Sequence, residues 1–305
     1  MLVQPGCYKC ILDLCSELAQ EAADSLPERN RRLREYLHTV MTRMDDHTPP
    51  ELANFLFAQH RQNTGVDDPF LEKKRASTEL ARQLLPEFAA EVARSADPFL
   101  SALRFAIGGN VIDYGATPDF RLGTAAAAIR QAAELPLDLA AAADLRQRAQ
   151  HAKTVLYILD NCGEAVFDRL LIDRIGPEKV TLGVRGGPII NDITRAELAA
   201  SGLDDLPVLD TGVRAPGVSL KLSSPEFLAA AQAADLVIAK GQGNFESLWG
   251  APGFDHVFFL FRVKCPVLET FAGVKLHSLQ VLTSFLAGKE VRQEKAVTLL
   301  SFQRK

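Results

Sequence analysis

Two adjacent polar residues, Asp160 and Asn161, directly follow an uncharged run at residues 154–159. The run consists of β-branched, aromatic and aliphatic residues, which is typical of a strand buried on both faces. A helical pattern follows, so the polar pair occupies a turn beyond the carboxyl end of a strand, where open α/β sheets bind ligands. A carboxylate and a carboxamide offer hard oxygen ligands, which suit Mg²⁺ or Mn²⁺ better than zinc. The alternative is a polar turn in which Asp160 caps the next helix.

Three further predicted strands are also followed by loops rich in glycine and polar residues. Because the carboxyl ends of parallel strands share one edge of a sheet, these loops can converge. Their carboxylates, amides, lysine and glycines suit phosphoryl chemistry, in which a divalent metal bridges phosphate oxygen and water, and backbone N–H groups reach phosphate. The loops are Arg185-Gly186-Gly187-Pro188 with Asn191 and Asp192 after it, Asp210-Thr211-Gly212, and residues 240–246 with Lys240, Gly241, Asn244 and Glu246.

Each of these loops is a weak signal by itself. Gly241-x-Gly243 is similar to part of a dinucleotide fingerprint, but Glu246 stands where the third glycine would be, and the fingerprint belongs after the first strand. Lys240 alone could be a solvated surface lysine, and Asp192 alone could cap a helix that begins at Ile193. The prediction of a site for phosphoryl chemistry therefore depends on the loops taken together.

The elements that must position these residues alternate between strand and helix in the second half of the chain. Strand-like runs alternate with helical patterns, which indicates an α/β fold with a mostly parallel, doubly wound sheet. The tail, residues 274–305, is predicted to be a helix with a possible last strand at 296–301. The predicted strands lie at residues 154–159, 179–184, 206–209, 235–239 and 256–261.

The first half of the chain is predicted to be entirely helical. We therefore divide the chain into a helical N-terminal subdomain, residues 1–150, and an α/β domain, residues 151–305, with the first packed on the second. Pro86 interrupts one amphipathic pattern and predicts a kink or a break. Gly108-Gly109 ends another helix, either as a cap or because the backbone must approach a ligand closely.

Composition limits the classes of partner and the compartment. A net charge of −4 gives no basic surface for nucleic acid, and no apolar run reaches 18 residues, so no membrane span is expected. The N-terminus lacks the pattern of a signal peptide. Five cysteines, an odd number, favour a reducing compartment, so we expect a cytoplasmic protein. The oligomeric state stays open.

A pair of cysteines, Cys7-x-x-Cys10, lies close to Cys15. The pair supplies half of a zinc site, which Cys265 or a histidine would have to complete. Alternatively, Cys10 and Cys15 pack on the core side of the first helix as small hydrophobic residues.

Taken together, the motifs resemble the damage-control phosphatase family, first described as a domain of unknown function numbered eighty-nine. The cysteine pair resembles the branch found mainly in archaea and bacteria. The matching segments follow one another along most of the chain: Cys7-x-x-Cys10, GNVIDYG at 109–115, LDNCGEAVFD at 159–168, GGPIINDIT at 186–194, KGQGNFESL at 240–248 and KCPV at 264–267.

This resemblance implies a metal-dependent phosphatase that acts on small phosphorylated metabolites, such as sugar phosphates or damaged cofactor-related phosphoesters. It implies a helical N-terminal part and a Rossmann-like three-layer core. Asp160, Asn161 and Asp192 map onto the family's ligands for a divalent metal (Mn, Mg, Co or Ni). Lys240 maps onto its phosphate-side lysine, which makes Asp160, Asp192 and Lys240 the expected catalytic residues. The expected substrate-binding residues are Asn110, Asp113, Asn191, Gly241, Asn244 and Glu246.

Two steps of the function remain open at this point. In the preferred mechanism a metal-activated water attacks phosphorus, but direct attack by an aspartate is the alternative. The same fold could also belong to a nucleotide-cofactor enzyme such as a methyltransferase, which predicts a glycine-rich first loop, or to a non-catalytic metal-binding protein.

Overall fold

The computed structural model describes residues 1–114 and 122–285, which form an α/β fold around one six-stranded sheet. The strand order is β3-β2-β1-β4-β5-β6, in which the first five strands are parallel and β6 is antiparallel to β5. The strands are β1 (Val155–Ile158), β2 (Val180–Val184), β3 (Val208–Asp210), β4 (Leu236–Lys240), β5 (Val257–Arg262) and β6 (Leu279–Thr283).

Twelve α-helices surround the sheet within the described residues. In chain order these are α1 (Tyr8–Glu21), α2 (Leu26–Met41), α3 (Pro49–Thr64), α4 (Leu71–Arg94), α5 (Pro98–Gly108), α6 (Leu122–Ala133), α7 (Leu139–His151), α8 (Cys162–Ile175), α9 (Leu198–Ser201), α10 (Pro225–Ala233), α11 (Gly241–Leu248) and α12 (Pro266–Ala272).

The order of strands reverses between β1 and β4, which are direct neighbours in the sheet. Such a reversal opens a crevice at the carboxyl ends of the two strands, because their connections leave toward opposite faces. Asp160 lies two residues after the end of β1, and Gly241 directly follows β4. The fold therefore brings the first and the last of the predicted polar loops to the same crevice.

Apolar side chains of the central strands bury both faces of the sheet. Val155 and Tyr157 of β1 pack in one cluster with α4, α5 and α8, while Leu156 and Ile158 pack in another with α10, α11 and α12. Helices on both faces explain why the parallel strands are continuously apolar and do not alternate. The mostly parallel α/β architecture predicted from the sequence is confirmed.

The helices of the first 150 residues contribute to two different clusters. Helices α4–α7 pack against α8 and the sheet. Helices α1–α3 form a separate cluster, which Ile189 from the loop after β2 joins. Helix α3 begins with a capping box between Thr48 and Glu51, and Glu51 also accepts a hydrogen bond from Ser219 at 2.7 Å. The division of the chain at residue 150 stays a prediction.

Two local predictions differ from the structure. The helix predicted from residue 274 onward is wrong for Leu279–Thr283, which form β6, because the alternating buried side chains of this segment complete the apolar edge next to β5. The strand predicted at 296–301 lies outside the described residues. Pro86 lies inside α4, which continues from Leu71 to Arg94, so the predicted break does not occur. The kink that was predicted as the alternative stays a prediction.

Candidate active site

The loops after β1 and β2 pair with each other through their backbones. The carbonyl oxygen of Asp160 accepts a hydrogen bond from the amide of Ile193 at 2.8 Å, and that of Asn191 accepts one from Cys162 at 3.0 Å. Asn161 and Asp192 form an isolated antiparallel bridge. This pairing brings together the three predicted metal ligands, Asp160, Asn161 and Asp192.

A buried arginine, Arg185, links these carboxylates to α11. Its Nε donates to Asp192 Oδ2 at 2.6 Å, its Nη2 to Asp160 Oδ1 at 3.3 Å and its Nη1 to Asn244 Oδ1 at 3.1 Å. The side chain is fully buried. Sequence reasoning did not select Arg185, although a charged residue directly after a buried strand was a usable signal.

Both carboxylates lie in surroundings that disfavour their negative charge. Burial, then the charges of Asp192 and Glu164, raise the pKa of Asp160 well above its usual range. Burial also raises the pKa of Asp192, and Arg185 partly opposes this increase. A further cation at these oxygens would therefore be stabilising.

We tested whether the donor set suits a divalent metal. Asn161 uses its Nδ2 to donate to Asp160 at 3.1 Å and to Glu164 at 3.4 Å, which leaves its Oδ1 as the available atom. Nearby, Asn110 Oδ1 is buried and has no hydrogen-bond partner among the residues that the structure describes. The described residues contain no cluster of three His, Cys, Asp or Glu side chains, but the predicted set has only two carboxylates and completes its ligands with an amide. Such oxygen donors fit Mg²⁺ or Mn²⁺.

The N-terminus of α11 lies directly on Asp160. Gly241 begins this helix with φ +79°, and a methyl group added at its Cα would overlap the Asp160 carboxylate. Gly243 is as closely packed, against the carbonyl oxygen of Pro216. The first N–H groups of a helix have no partners within the helix and bind anions such as phosphate. The crevice therefore joins a carboxylate pair to an anion-binding backbone.

Lys240 lies beneath the crevice in a buried polar network. Its Nζ donates to Ala106 O at 2.9 Å, to Asp168 Oδ1 at 2.6 Å and to Glu164 Oε1. The adjacent carboxylates raise the pKa of Lys240 against the effect of burial, so the ammonium is charged. Burial raises the pKa of Asp168 to about 7. The expectation that Lys240 contacts phosphate stays a prediction.

Glu164 connects this network to the crevice. Its Oε2 accepts hydrogen bonds from Asn161 and from Asn110, which follows α5 in a 3-10 turn at Gly109–Tyr114. Gly109 packs against the ring of Phe167, and a methyl group there would come within 2.8 Å of it. The structure thus brings Asn110 to the same crevice as Asp160, while the side chain of Asp113 lies outside the described part of the chain.

These groups open onto a cavity of about 340 Å³. Its lining includes Asn110, Asp160, Asn161, Asn191, Asp192, Gly241 and Glu246, whereas Asn244 lies below it, between Arg185 and the Lys240 carbonyl. Burial raises the pKa of Glu246 to about 7. Two cations that the sequence reasoning missed, Arg262 and Lys264, also line the cavity. Within the described part of the chain, the buried Nε of Arg262 has no hydrogen-bond partner.

The cysteine pair lies at the wall of the same cavity. Cys7, Cys10 and Cys265 all contribute to the lining. Cys7 and Cys15 are buried and Cys10 is exposed, so packing on the core side describes Cys15 but not Cys10.

Known proteins resemble this chain over nearly its whole length. The sequence profile of the damage-control phosphatase ARMT1-like domain matches residues 3–279. A damage-control phosphatase of Pyrococcus horikoshii is 34% identical over 277 residues, which cover 88% of this chain and 93% of the relative. A damage-control phosphatase of Archaeoglobus fulgidus is 32% identical over 222 residues, covering 70% and 74% of the two chains.

A crystal structure gives the same result. The structure of a DUF89 family protein from Pyrococcus horikoshii superposes with a TM-score of 0.82 at 31% identity, covering 93% of this chain and 99% of that one. The fold and the crevice thus define an α/β protein of the phosphatase class. The chain belongs to the damage-control phosphatase family, which confirms the family predicted from its motifs. Within the described residues, no helix is both long and apolar enough to cross a membrane.

Proposed function

We propose that this protein is a metal-dependent phosphatase that hydrolyses small phosphorylated metabolites in the cytoplasm. The observation that carries the proposal is the joining of two elements in one crevice. A paired set of oxygen donors, Asp160, Asn161 and Asp192, lies against the N-terminus of α11 at Gly241. The first element suits a divalent cation and the second suits a phosphate group.

Asp160, Asn161 and Asp192 would hold the cation through side-chain oxygens. A bound divalent cation would supply Lewis-acid polarisation of a phosphoryl oxygen. Arg185 holds the two carboxylates in place through its hydrogen bonds at 2.6 Å and 3.3 Å.

The phosphate would lie between the donors and the cationic side of the cavity. The N–H groups at the start of α11 would donate to its oxygens, and Arg262 and Lys264 would balance its remaining charge. Lys264 and Asp160 line the same cavity, and the charge of Lys264 opposes part of the rise in the pKa of Asp160 that burial causes.

Lys240 acts in this proposal through Glu164. The ammonium bonds to three protein groups, so it fixes the Glu164 carboxylate, which in turn fixes the amides of Asn110 and Asn161. A correctly oriented Asn161 presents its oxygen, not its nitrogen, to a cation.

An assay with an aryl phosphate, with and without added Mn²⁺, tests the proposal. We expect turnover only when a divalent ion is present, and we expect a chelator to abolish it. Mg²⁺, Co²⁺ and Ni²⁺ should be compared with Mn²⁺ in parallel. Asp160→Asn should reduce kcat/KM by about a hundredfold or more, the size expected when one preorganised electrostatic contact is lost. Equal turnover in the presence and absence of a chelator would contradict the metal requirement. A screen of phosphorylated metabolites addresses the separate question of which substrate the protein hydrolyses.

A further inference from the structure

The lining of the cavity divides into a polar part and an apolar part. The polar part consists of the amides, carboxylates and backbone N–H groups described above. The apolar part comes from α1 and α3, where Leu14 is partly exposed and the other four side chains are buried: Ile11, Leu14, Leu52, Ala53 and Leu56. Both sets recur at helical spacing, so each helix turns one apolar face toward the cavity. We call these five residues the apolar wall.

The apolar wall offers no strong hydrogen-bonding side chain. Among the described residues, the lining contributed by positions 1–64 consists of aliphatic, proline and cysteine side chains, without a carboxylate, amide, hydroxyl or cationic group. A sugar or polyol placed against this surface would leave its hydroxyl groups without partners, which is costly compared with their solvation in water.

Ile190 continues this surface to the metal-binding residues. It is a β-branched residue at φ +44°, a backbone conformation that such residues rarely adopt. It lines the cavity immediately before Asn191 and Asp192, and Ile189 beside it is buried among α1–α3. Strained residues that persist in a fold are held by their surroundings and concentrate at functional sites. The apolar surface is therefore continuous from α1 to the loop that carries Asp192.

We propose that the apolar wall binds the leaving group of the substrate, and that this leaving group is an alcohol with a largely apolar carbon skeleton. This inference rests on the proposed phosphatase function, because the phosphate must occupy the polar part of the same cavity. It narrows the substrate class to phosphomonoesters of alkyl-like or aryl-like alcohols and disfavours those of polyhydroxylated sugars. At about 340 Å³, the cavity lies at the small end of the range for ligand pockets.

A homologous series of substrates tests the inference on the unmodified protein. With Mn²⁺ present, kcat/KM should rise from ethyl to hexyl phosphate by about fourfold per methylene, the factor that corresponds to the transfer free energy of one CH₂ group. Glycerol phosphate and glucose 6-phosphate should react more slowly than alkyl phosphates of similar size. A flat alkyl series combined with faster hydrolysis of the sugar phosphates would overturn the inference.

A pair of variants on α1 locates the effect. Leu14→Asn places a polar amide in the apolar wall and should lower the ratio of kcat/KM for hexyl phosphate to that for ethyl phosphate at least fivefold, about the effect of losing one to two methylene contacts. Leu12→Asn is the control, because it makes the same change on the same helix at a side chain that is 48% exposed and outside the cavity lining. This variant should have the same ratio as the unmodified protein. If Leu14→Asn does not fold, Leu14→Ala removes the contact without adding polarity. An unchanged ratio in the folded Leu14 variant would refute the assignment of the wall.

Binding of alkylphosphonates separates this inference from the phosphatase proposal. These compounds keep the charged head group but have no ester bond to hydrolyse. Calorimetry therefore measures how the apolar wall contributes to affinity in the absence of turnover. Affinity that rises with chain length supports the wall even if no ester is hydrolysed, in which case only the phosphatase proposal fails. Affinity that is independent of chain length, with esters still hydrolysed, refutes the wall alone.

Discussion

At the scale of single residues, Arg185 determines the electrostatics of the crevice. Its guanidinium is fully buried and bonds to side chains from three separate segments of the chain. A buried ion pair adds little net stability, but losing one partner leaves an uncompensated charge. Arg185 is therefore best understood as the group that holds Asp160 and Asp192 ready for a cation.

The first prediction concerns the cation itself. Asp192→Asn keeps the hydrogen-bonding shape of the side chain but removes one of two carboxylate charges, so affinity for Mn²⁺ should fall at least about tenfold by calorimetry. Asp210→Asn is the matched control, because Asp210 lies at the end of β3 and pairs with Arg195 at the surface. Equal Mn²⁺ affinity in both variants would remove Asp192 from the ligand set.

Lys240 gives a prediction about stability. Lys240→Met leaves Glu164 and Asp168 as buried carboxylates without their cation, which should cost about 3–5 kcal/mol of unfolding free energy in denaturant titrations. Adding Asp168→Asn removes one of the two buried carboxylates that lack a cation, and should restore part of the lost unfolding free energy. If the double variant is no more stable than Lys240→Met, the network does not have the electrostatic coupling that its geometry indicates.

At the scale of elements, the junction of β4 and α11 determines how closely the backbone of α11 approaches Asp160. Gly241 combines a left-handed backbone with direct packing on the Asp160 carboxylate. Only glycine satisfies both conditions at no cost.

This junction supplies a prediction with a close control. Gly241→Ala and Gly250→Ala each place a side chain at positive φ, +79° and +72°, so both lose about 1–2 kcal/mol to backbone strain. Only Gly241→Ala also meets Asp160, since nothing lies within 4 Å of a methyl group at Gly250. The Gly241 variant should therefore lose turnover and additional stability. Similar turnover in the two variants would show that the approach of α11 to Asp160 is not required.

The helices and strands were largely predictable from the sequence, but the contacts between their side chains were not. Five strands could be predicted from apolar runs, because a strand that is buried on both faces consists almost entirely of apolar residues. β6 was missed, although its side chains alternate in burial as those of a half-buried strand do. Asp160 and Asn161 were identifiable by position. The contact of Asp168 with Lys240 spans 72 residues and that of Arg185 with Asn244 spans 59, so neither could be read from a local pattern. The burial of Lys240 depends on α5 and α8, which no local pattern reveals.

At the scale of the whole molecule, stability should depend on the charge of Glu246 in a defined pH range. Its pKa is about 7 in the folded protein because of burial, against a usual value near 4.5. The folded state therefore binds the proton more tightly than the unfolded state, and this contribution to stability falls as pH rises from about 4.5 to about 7.

Glu246→Gln should remove that dependence. The variant should have a flatter profile of Tm against pH between about 4.5 and 7, and should be more stable than the unmodified protein at pH 8 by on the order of 1 kcal/mol. Glu226→Gln, at an exposed position, serves as the control. Parallel profiles for all three proteins would contradict the shift.

The reversal of strand order between β1 and β4 has a consequence for the sequence of events in folding. Arg185 lies only 7 residues from Asp192 and 25 from Asp160, whereas Lys240 lies 76 residues from Glu164 and 134 from Ala106. Closing a longer loop costs more chain entropy, so contacts of high sequence separation tend to form later. We expect pulse-labelled hydrogen exchange to protect the amide of Ile193, which bonds to Asp160, before the amides of α11. The half of the crevice that we propose binds the cation would then be complete before the half that we propose binds phosphate.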